Sequence, residues 1–178
     1  ALEVAAETGI TIDETRRLAE LTFDGVAAEP LSGPPELLAR LRDAAWTLIA
    51  ADSLGACDAM LEKAVAYAKE RRQFGRVIGS YQAVKHKAAD MMVKVEAGRS
   101  AIYYAACIAD EALRGTALGM ELAEAASIAK AWCSDAYFFN AGNGIQLHGG
   151  VGFTAEYDIQ LYFKRAKASE HYLGNASY

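Results

Sequence analysis

The segment Glu70–Gln82, ERRQFGRVIGSYQ, closes one long helical pattern and opens the next. Upstream of it, Leu37, Leu41, Ala44, Leu48, Leu61, Ala64, Val65 and Ala68 keep the three- and four-residue spacing of a helix face as far as about Arg71, with Gly55 as a candidate break. Downstream, Gln82 starts a second helix that runs to about Leu113. Its stripe is Val84, Ala88, Met91, Val95, Ile102, Ala106 and Ala109, and Arg114-Gly115 ends it. A third helix spans about Met120 to Leu147, and its late glycines, with Asn140 and Asn143, predict close backbone approach to another element. A fourth, from about Ala155 to Glu170, stops at Gly174. Four antiparallel helices with short links make a mainly α fold, an up-and-down four-helix bundle. The abundant alanines predict close helix contact, and helices this long predict bundle-to-bundle oligomerisation.

Residues before the bundle read differently. Thr15 to Phe23, TRRLAELTF, alternates as a strand or hairpin does, and Asp24-Gly25 supplies a turn signal. So short a β piece cannot bury its own apolar face; it packs on the helices or belongs to a β-domain. Ser32-Gly33-Pro34-Pro35-Glu36 is the sharpest boundary, since proline suits only the first turn of a helix. Residues 1–32 and 33–178 are therefore expected to belong to different domains.

With 178 residues and 53% hydrophobic content, the chain can build a well-buried core. A net charge of −5 and a pI near 5.2, without a basic stripe, argue against a nucleic-acid partner, while one or two arginines suffice for a small anionic group. No apolar run is long enough to span a bilayer and the N-terminus does not resemble a signal peptide, so no membrane association and a cytoplasmic location are expected. Cys57, Cys107 and Cys133 sit apart in alanine-rich stretches and read as reduced core residues. His86, His148 and His171 lack metal-ligand spacing, so no metal site is expected.

Taken locally, Arg71 and Arg72 complement a helix C-terminus, Phe74 packs into the core and Gly75 stops the helix. Arginine can also grip a diphosphate while an aromatic ring packs on a cofactor plane. Gly149-Gly150-Val151-Gly152 ends a helix instead of opening one after a strand, which excludes a dinucleotide fingerprint. Glycine still admits a bound group close to the backbone, and Gln146 one turn earlier can hydrogen-bond beside it.

In order and spacing, ERRQFG, Gln82, the QLHGGVGF of Gln146–Phe153, Glu156-Tyr157, Arg165-Ala166-Lys167 and Tyr172-Leu173-Gly174 resemble the C-terminal helical domain of the acyl-CoA dehydrogenase family. The resemblance covers about Leu31 to Tyr178, and Arg17 to Pro30 is similar to the last strands of the family's middle β-domain. It implies FAD as cofactor, with Arg71, Gln73 and Phe74 in the arm that reaches the flavin of a neighbouring subunit. Gln146, Gly149 and Gly150 match the segment along its adenosine diphosphate portion. An oligomer, a tetramer in the resemblance, is then part of the function.

The same resemblance places the base that takes a proton beside the thioester carbonyl in the loop after the last helix or on the first long helix. Those positions hold Leu173 and Ala45, and Trp46 stands where the family often has arginine. Asp43 is about 200° around the helix from Ala45. Glu170, Glu156 and Asp158 are the remaining carboxylates, each read first as a solvent-facing helix residue. The leading expectation is a subunit without its own catalytic base, similar to those of actinobacterial heteromeric acyl-CoA dehydrogenases, that contributes FAD-binding arms beside a catalytic partner acting on acyl-CoA. The alternatives are a competent homotetramer using a displaced carboxylate such as Glu170, and a helical oligomerisation module without flavin.

Overall fold

A computed structural model describes residues 3–9, 11–30 and 32–175. Strands β1 (Glu3–Thr8) and β2 (Ala19–Asp24) form an antiparallel hairpin with Glu3 opposite Asp24 and Thr8 opposite Ala19. Thr15 through Leu18, expected within the strand, belong instead to the connecting loop. There Asp13 is buried, and its Oδ1 accepts from the Thr15 backbone N–H at 2.9 Å, a local alternative to strand pairing. The hairpin does not pack β2 on the helices, for Leu21 and Phe23 are both exposed. The loop is what touches the bundle, through Arg16 to Asp52 at 2.6 Å and Lys164 to Glu14 at 3.1 Å.

Helix α1 (Leu37–Glu70) starts just after Pro34-Pro35 and runs unbroken through Gly55, whose missing side chain faces open space. Its exposed side in the first half carries Leu38, Leu41 and Leu48, so the expected stripe is correct only further along. The true inner face is Trp46, Ala50, Ser53, Leu54, Cys57, Met60, Ala64 and Ala68. After a two-residue hairpin come α2 (Gln82–Leu113), α3 (Leu122–His148) and α4 (Ile159–His171). A 3-10 turn precedes α3, and α4 begins at Ile159 instead of Ala155 because residues 155–158 form turns. Ala106 of the expected α2 stripe is exposed.

Alanines and sulfur-bearing residues from α1 to α4 fill the core, around the fully buried Tyr137. The predicted backbone approach is real: a Cβ on Gly144 would collide with the Met60 thioether. Asn140 is buried and donates through Nδ2 to the Cys57 carbonyl at 3.3 Å and the Met91 carbonyl at 3.2 Å, tying α3 to α1 and α2. Gly144→Val is expected to destabilise by about 1–3 kcal/mol through overpacking. Gly55→Ala should instead stabilise by about 0.5–1 kcal/mol through helix propensity. Thermal melts of the two variants moving in the same direction would contradict this packing.

All three cysteines are free, but Cys107 is exposed, contrary to expectation; only Cys57 and Cys133 are core residues. Burial pushes both of those thiols from 9.0 up to about 12. Unfolded thiols ionise first as pH rises, so this contribution to stability is complete below pH 9 and is lost between 9 and about 12. Urea midpoints should fall across that window, and less steeply in the Cys57→Ala/Cys133→Ala protein. Among the described residues, no helix is long and apolar enough to cross a membrane, and no three His, Cys, Asp or Glu side chains converge on a metal-sized site.

Candidate functional site

The sequence motifs sort to opposite ends of the bundle. At one end, the Tyr67 and His148 rings stack at 4.3 Å, which sets the close of α1 beside the close of α3. His148 is buried and its Nδ1 donates to the Gly144 carbonyl at 2.7 Å, so its position is fixed by structure. From this corner the ERRQFG segment projects as a hairpin of β3 (Arg72–Gln73) and β4 (Arg76–Val77), with Gln73 opposite Arg76. Its turn is Phe74-Gly75, at φ 52° and 81°. Positive φ at both central residues gives the twist that suits a two-residue hairpin, at a steric cost for phenylalanine.

Phe74 is therefore not a core residue. It is 92% exposed at the hairpin tip, and Arg71 and Gln73 are exposed beside it. The hairpin is braced nonetheless: Tyr81 Oη donates to the Gln73 carbonyl at 3.1 Å and the Arg76 guanidinium lies 4.0 Å over the Tyr81 ring. Gly79 lets the returning chain press on the last turn of α1, since a Cβ there would meet the Ala68 carbonyl at 2.8 Å. Gly149, at φ 62° and ψ −138°, ends α3, and neither it nor Gly150 has anything within 4 Å of where a Cβ would stand. Gln146 is exposed one turn earlier.

At the other end, Ala45 and Leu173 come into one neighbourhood. Trp46 Nε1 donates to the Leu173 carbonyl at 2.8 Å while Arg42 lies 4.5 Å over the indole, and Arg42 also pairs with the buried Asp43 at 2.8 Å. Leu173 takes a left-handed φ of 58°, followed by Gly174 at 105°, and its side chain is half exposed. Of the alternative carboxylates, Glu170 is held by Lys167 at 2.9 Å, Asp158 by Lys63 at 2.8 Å, and Glu156 is exposed.

One residue outside the sequence motifs organises this corner. Lys130 is only 4% exposed, and its ammonium donates to Ser134 Oγ at 3.0 Å and to the carbonyls of Ser169, Glu170 and Gly174 at 3.2–3.3 Å. A cation on the last carbonyls of α4 satisfies acceptors that a helix end leaves open. Burial lowers its pKa from the ordinary lysine value, while Glu170 and Asp135 act in the opposite direction. The signal was present in the spacing Ala126, Lys130, Cys133, Tyr137, which puts the lysine on the inner stripe of α3.

Residues 43–177 match the family described as acyl-CoA dehydrogenase, C-terminal domain. The acyl-CoA dehydrogenase IpdE2 of Mycobacterium tuberculosis is 41% identical over 169 residues, covering 95% of this chain and 48% of that protein. An acyl-CoA dehydrogenase of Bacillus subtilis is 40% identical over 126 residues, covering 71% of this chain and 31% of its own. Among solved structures, a Tcur3481-Tcur3483 steroid ACAD variant superposes with a TM-score of 0.87 at 34% identity, covering 98% of this chain and 45% of that one. The ChsE4-ChsE5 complex of Mycobacterium tuberculosis gives 0.86 at 28%, covering 98% and 46%. The mainly α four-helix domain is that of the acyl-CoA dehydrogenase fold. This chain belongs to the acyl-CoA dehydrogenase family, and it spans about half the length of the first curated relatives it matches.

Proposed function

We propose that this chain is the C-terminal part of an acyl-CoA dehydrogenase subunit that lacks its own catalytic base. It contributes flavin-binding arms to an assembly that carries out FAD-dependent α,β-dehydrogenation of acyl-CoA thioesters in the cytoplasm. One observation carries the reading: Ala45 and Arg71 lie about 40 Å apart along a single unbroken helix. The arm and the base corner of one chain are therefore too distant to serve one reacting centre, and the arm is free to serve a neighbour. The residues at the arm fit a flavin nucleotide, with an exposed guanidinium, an exposed amide and an exposed ring on a braced hairpin. Gly149 and Gly150, at the same end, leave backbone open to close approach.

Bound there, FAD supplies the hydride acceptor. Arg71 would bind diphosphate oxygens by charge-assisted hydrogen bonds, Phe74 would cover an aromatic plane, and Gln146 would orient the nucleotide beside the glycines. The proton would leave to a carboxylate on a partner subunit, since Leu173 and Ala45 hold no proton acceptor and Glu170 is turned to Lys167 in an ion pair at 2.9 Å. Heteromeric organisation finds support in the two-component names of similar structures. Residues 1–32 are read as the tail of a β-domain, consistent with the exposed Leu21 and Phe23 of β2.

The full-length polypeptide should be assayed for acyl-CoA dehydrogenation alone and with the product of a neighbouring dehydrogenase gene. Activity only with the partner, unaffected by Glu170→Gln, is the expected result. Turnover by the chain alone that disappears in Glu170→Gln would establish a self-sufficient homo-oligomer instead.

A further inference from the structure

Among the described residues, two that are not glycine adopt a positive φ, Phe74 at 52° and Leu173 at 58°. A side chain in that region returns to ordinary backbone unless its surroundings hold it, and such strain marks places where the pose of one side chain matters. Leu173 is held through its own carbonyl by Trp46 and through that of Gly174 by Lys130. At Phe74 the holding bond comes from Tyr81, whose Oη donates to the Gln73 carbonyl at 3.1 Å. That oxygen belongs to the peptide joining Gln73 to Phe74. Because a peptide is planar, anchoring its oxygen limits ψ of Gln73 and φ of Phe74 together.

Tyr81 is itself set in a firm frame. It caps α2, with its carbonyl accepting from the Val84 and Lys85 N–H groups at 3.1 Å, and its own N–H donates to the Ile78 carbonyl at 3.1 Å. The turn before it is pinned to the end of α1, where the Ile78 N–H donates to the Arg71 carbonyl at 2.8 Å and Gly79 sits against the Ala68 carbonyl. Ser80 Oγ closes the same turn on the Val77 carbonyl at 2.7 Å. The hydroxyl of Tyr81 holds β3 at Gln73, while its ring lies under Arg76 of β4, so one side chain grips both strands. The tip has little other support: Phe74 is almost wholly exposed, and a Cβ on Gly75 would meet no atom within 4 Å.

We propose, on the reading of this hairpin as a flavin arm, that Tyr81 is a positioning residue for the cofactor, acting through Gln73 and Phe74 and not by contact. A wandering tip would have to be ordered when the nucleotide binds, at a cost in affinity; Tyr81 orders it beforehand.

The full-length protein in its native assembly, freed of flavin and titrated with FAD, tests this. Tyr81→Phe keeps the ring under Arg76 and loses only the hydroxyl, so FAD should bind about three- to tenfold more weakly, the loss of one hydrogen bond, with the melting temperature unchanged. Tyr81→Leu loses both grips and should weaken binding further. Because the tyrosine acts through Phe74, Tyr81→Phe should add little in a Phe74→Ala background, whereas independent contacts give additive losses. In the flavin-free assembly, amides of residues 73–76 should exchange with deuterium faster in Tyr81→Phe while those of α2 keep their rates. Unchanged exchange at 73–76, unchanged FAD affinity in Tyr81→Phe, or additive losses would overturn the proposal, and loss of flavin in Phe74→Ala would then leave the arm standing without this brace. Faster exchange with FAD affinity untouched by Arg71→Ala and Phe74→Ala would instead remove the flavin reading of the arm, and the proposal with it.

Discussion

Replacing Arg71 with alanine, or Phe74 with alanine, should strip flavin from the assembled protein while leaving the bundle intact. Phe74 is 92% exposed and Arg71 is exposed at the helix end, so neither contributes packing whose loss would lower the melting temperature. A charge-assisted hydrogen bond to a phosphate oxygen is worth roughly 1.5–3 kcal/mol, which corresponds to about a 10- to 100-fold fall in affinity. The flavin-to-protein ratio after gel filtration, read at 450 nm against 280 nm, should fall accordingly. Gly150→Val is the companion test, because a side chain there would occupy the open space beside the backbone. In a heteromer assembled from variant chain and unaltered partner, the lost flavin should be that of the partner's half, given the distance along α1. Flavin content equal to that of the unaltered protein in all three variants would remove these residues from the cofactor site.

The helical framework was legible because period and punctuation agree. Gln82 and Leu113 bound α2 as the spacing indicates, and Pro34-Pro35 marks where α1 can begin. The apolar stripe misled in the first half of α1, where Leu38, Leu41 and Leu48 are exposed and the inner positions are the smaller Ala50 and Ser53 together with Trp46. Alanine-rich helices blur the period, since small residues fit both a close helix contact and an open surface. Phe74 shows a second limit. An aromatic residue after a helix reads locally as core, and only the turn geometry of Phe74-Gly75 turns it outward. Only the resemblance to a family anticipated that exposure.

The two ends of the bundle differ in how they are held. The arm rests on backbone pairing and one tyrosine, so its exposed side chains can change without cost to the fold. The opposite corner is held by buried side chains, Trp46 and Lys130, that reach four carbonyls of the last helix and the turn after it. The turn at Leu173-Gly174 is thus firmly supported by side chains of α1 and α3.

Lys130→Met should accordingly loosen that corner more than any other single change in it. Two effects oppose each other. Removing the ammonium relieves the desolvation that lowers its pKa, but it leaves the buried Ser169 carbonyl and the half-buried carbonyls of Glu170 and Gly174 without their donor. An unmet buried acceptor costs about 1–3 kcal/mol, and water can reach only the less buried of the three, so a net loss of about 2 kcal/mol is expected. For a domain of this size that lowers the melting temperature by about 4–8 °C. Amides of residues 172–175 should exchange with deuterium faster while those of α2 keep their protection, because the support lost is local. Trp46→Phe keeps an aromatic ring under Arg42 and deletes only the bond to the Leu173 carbonyl, so its effect should be about half as large. A melting temperature in Lys130→Met within 1 °C of the unaltered protein, with unchanged exchange at 172–175, would mean that the helix end holds its turn without the lysine.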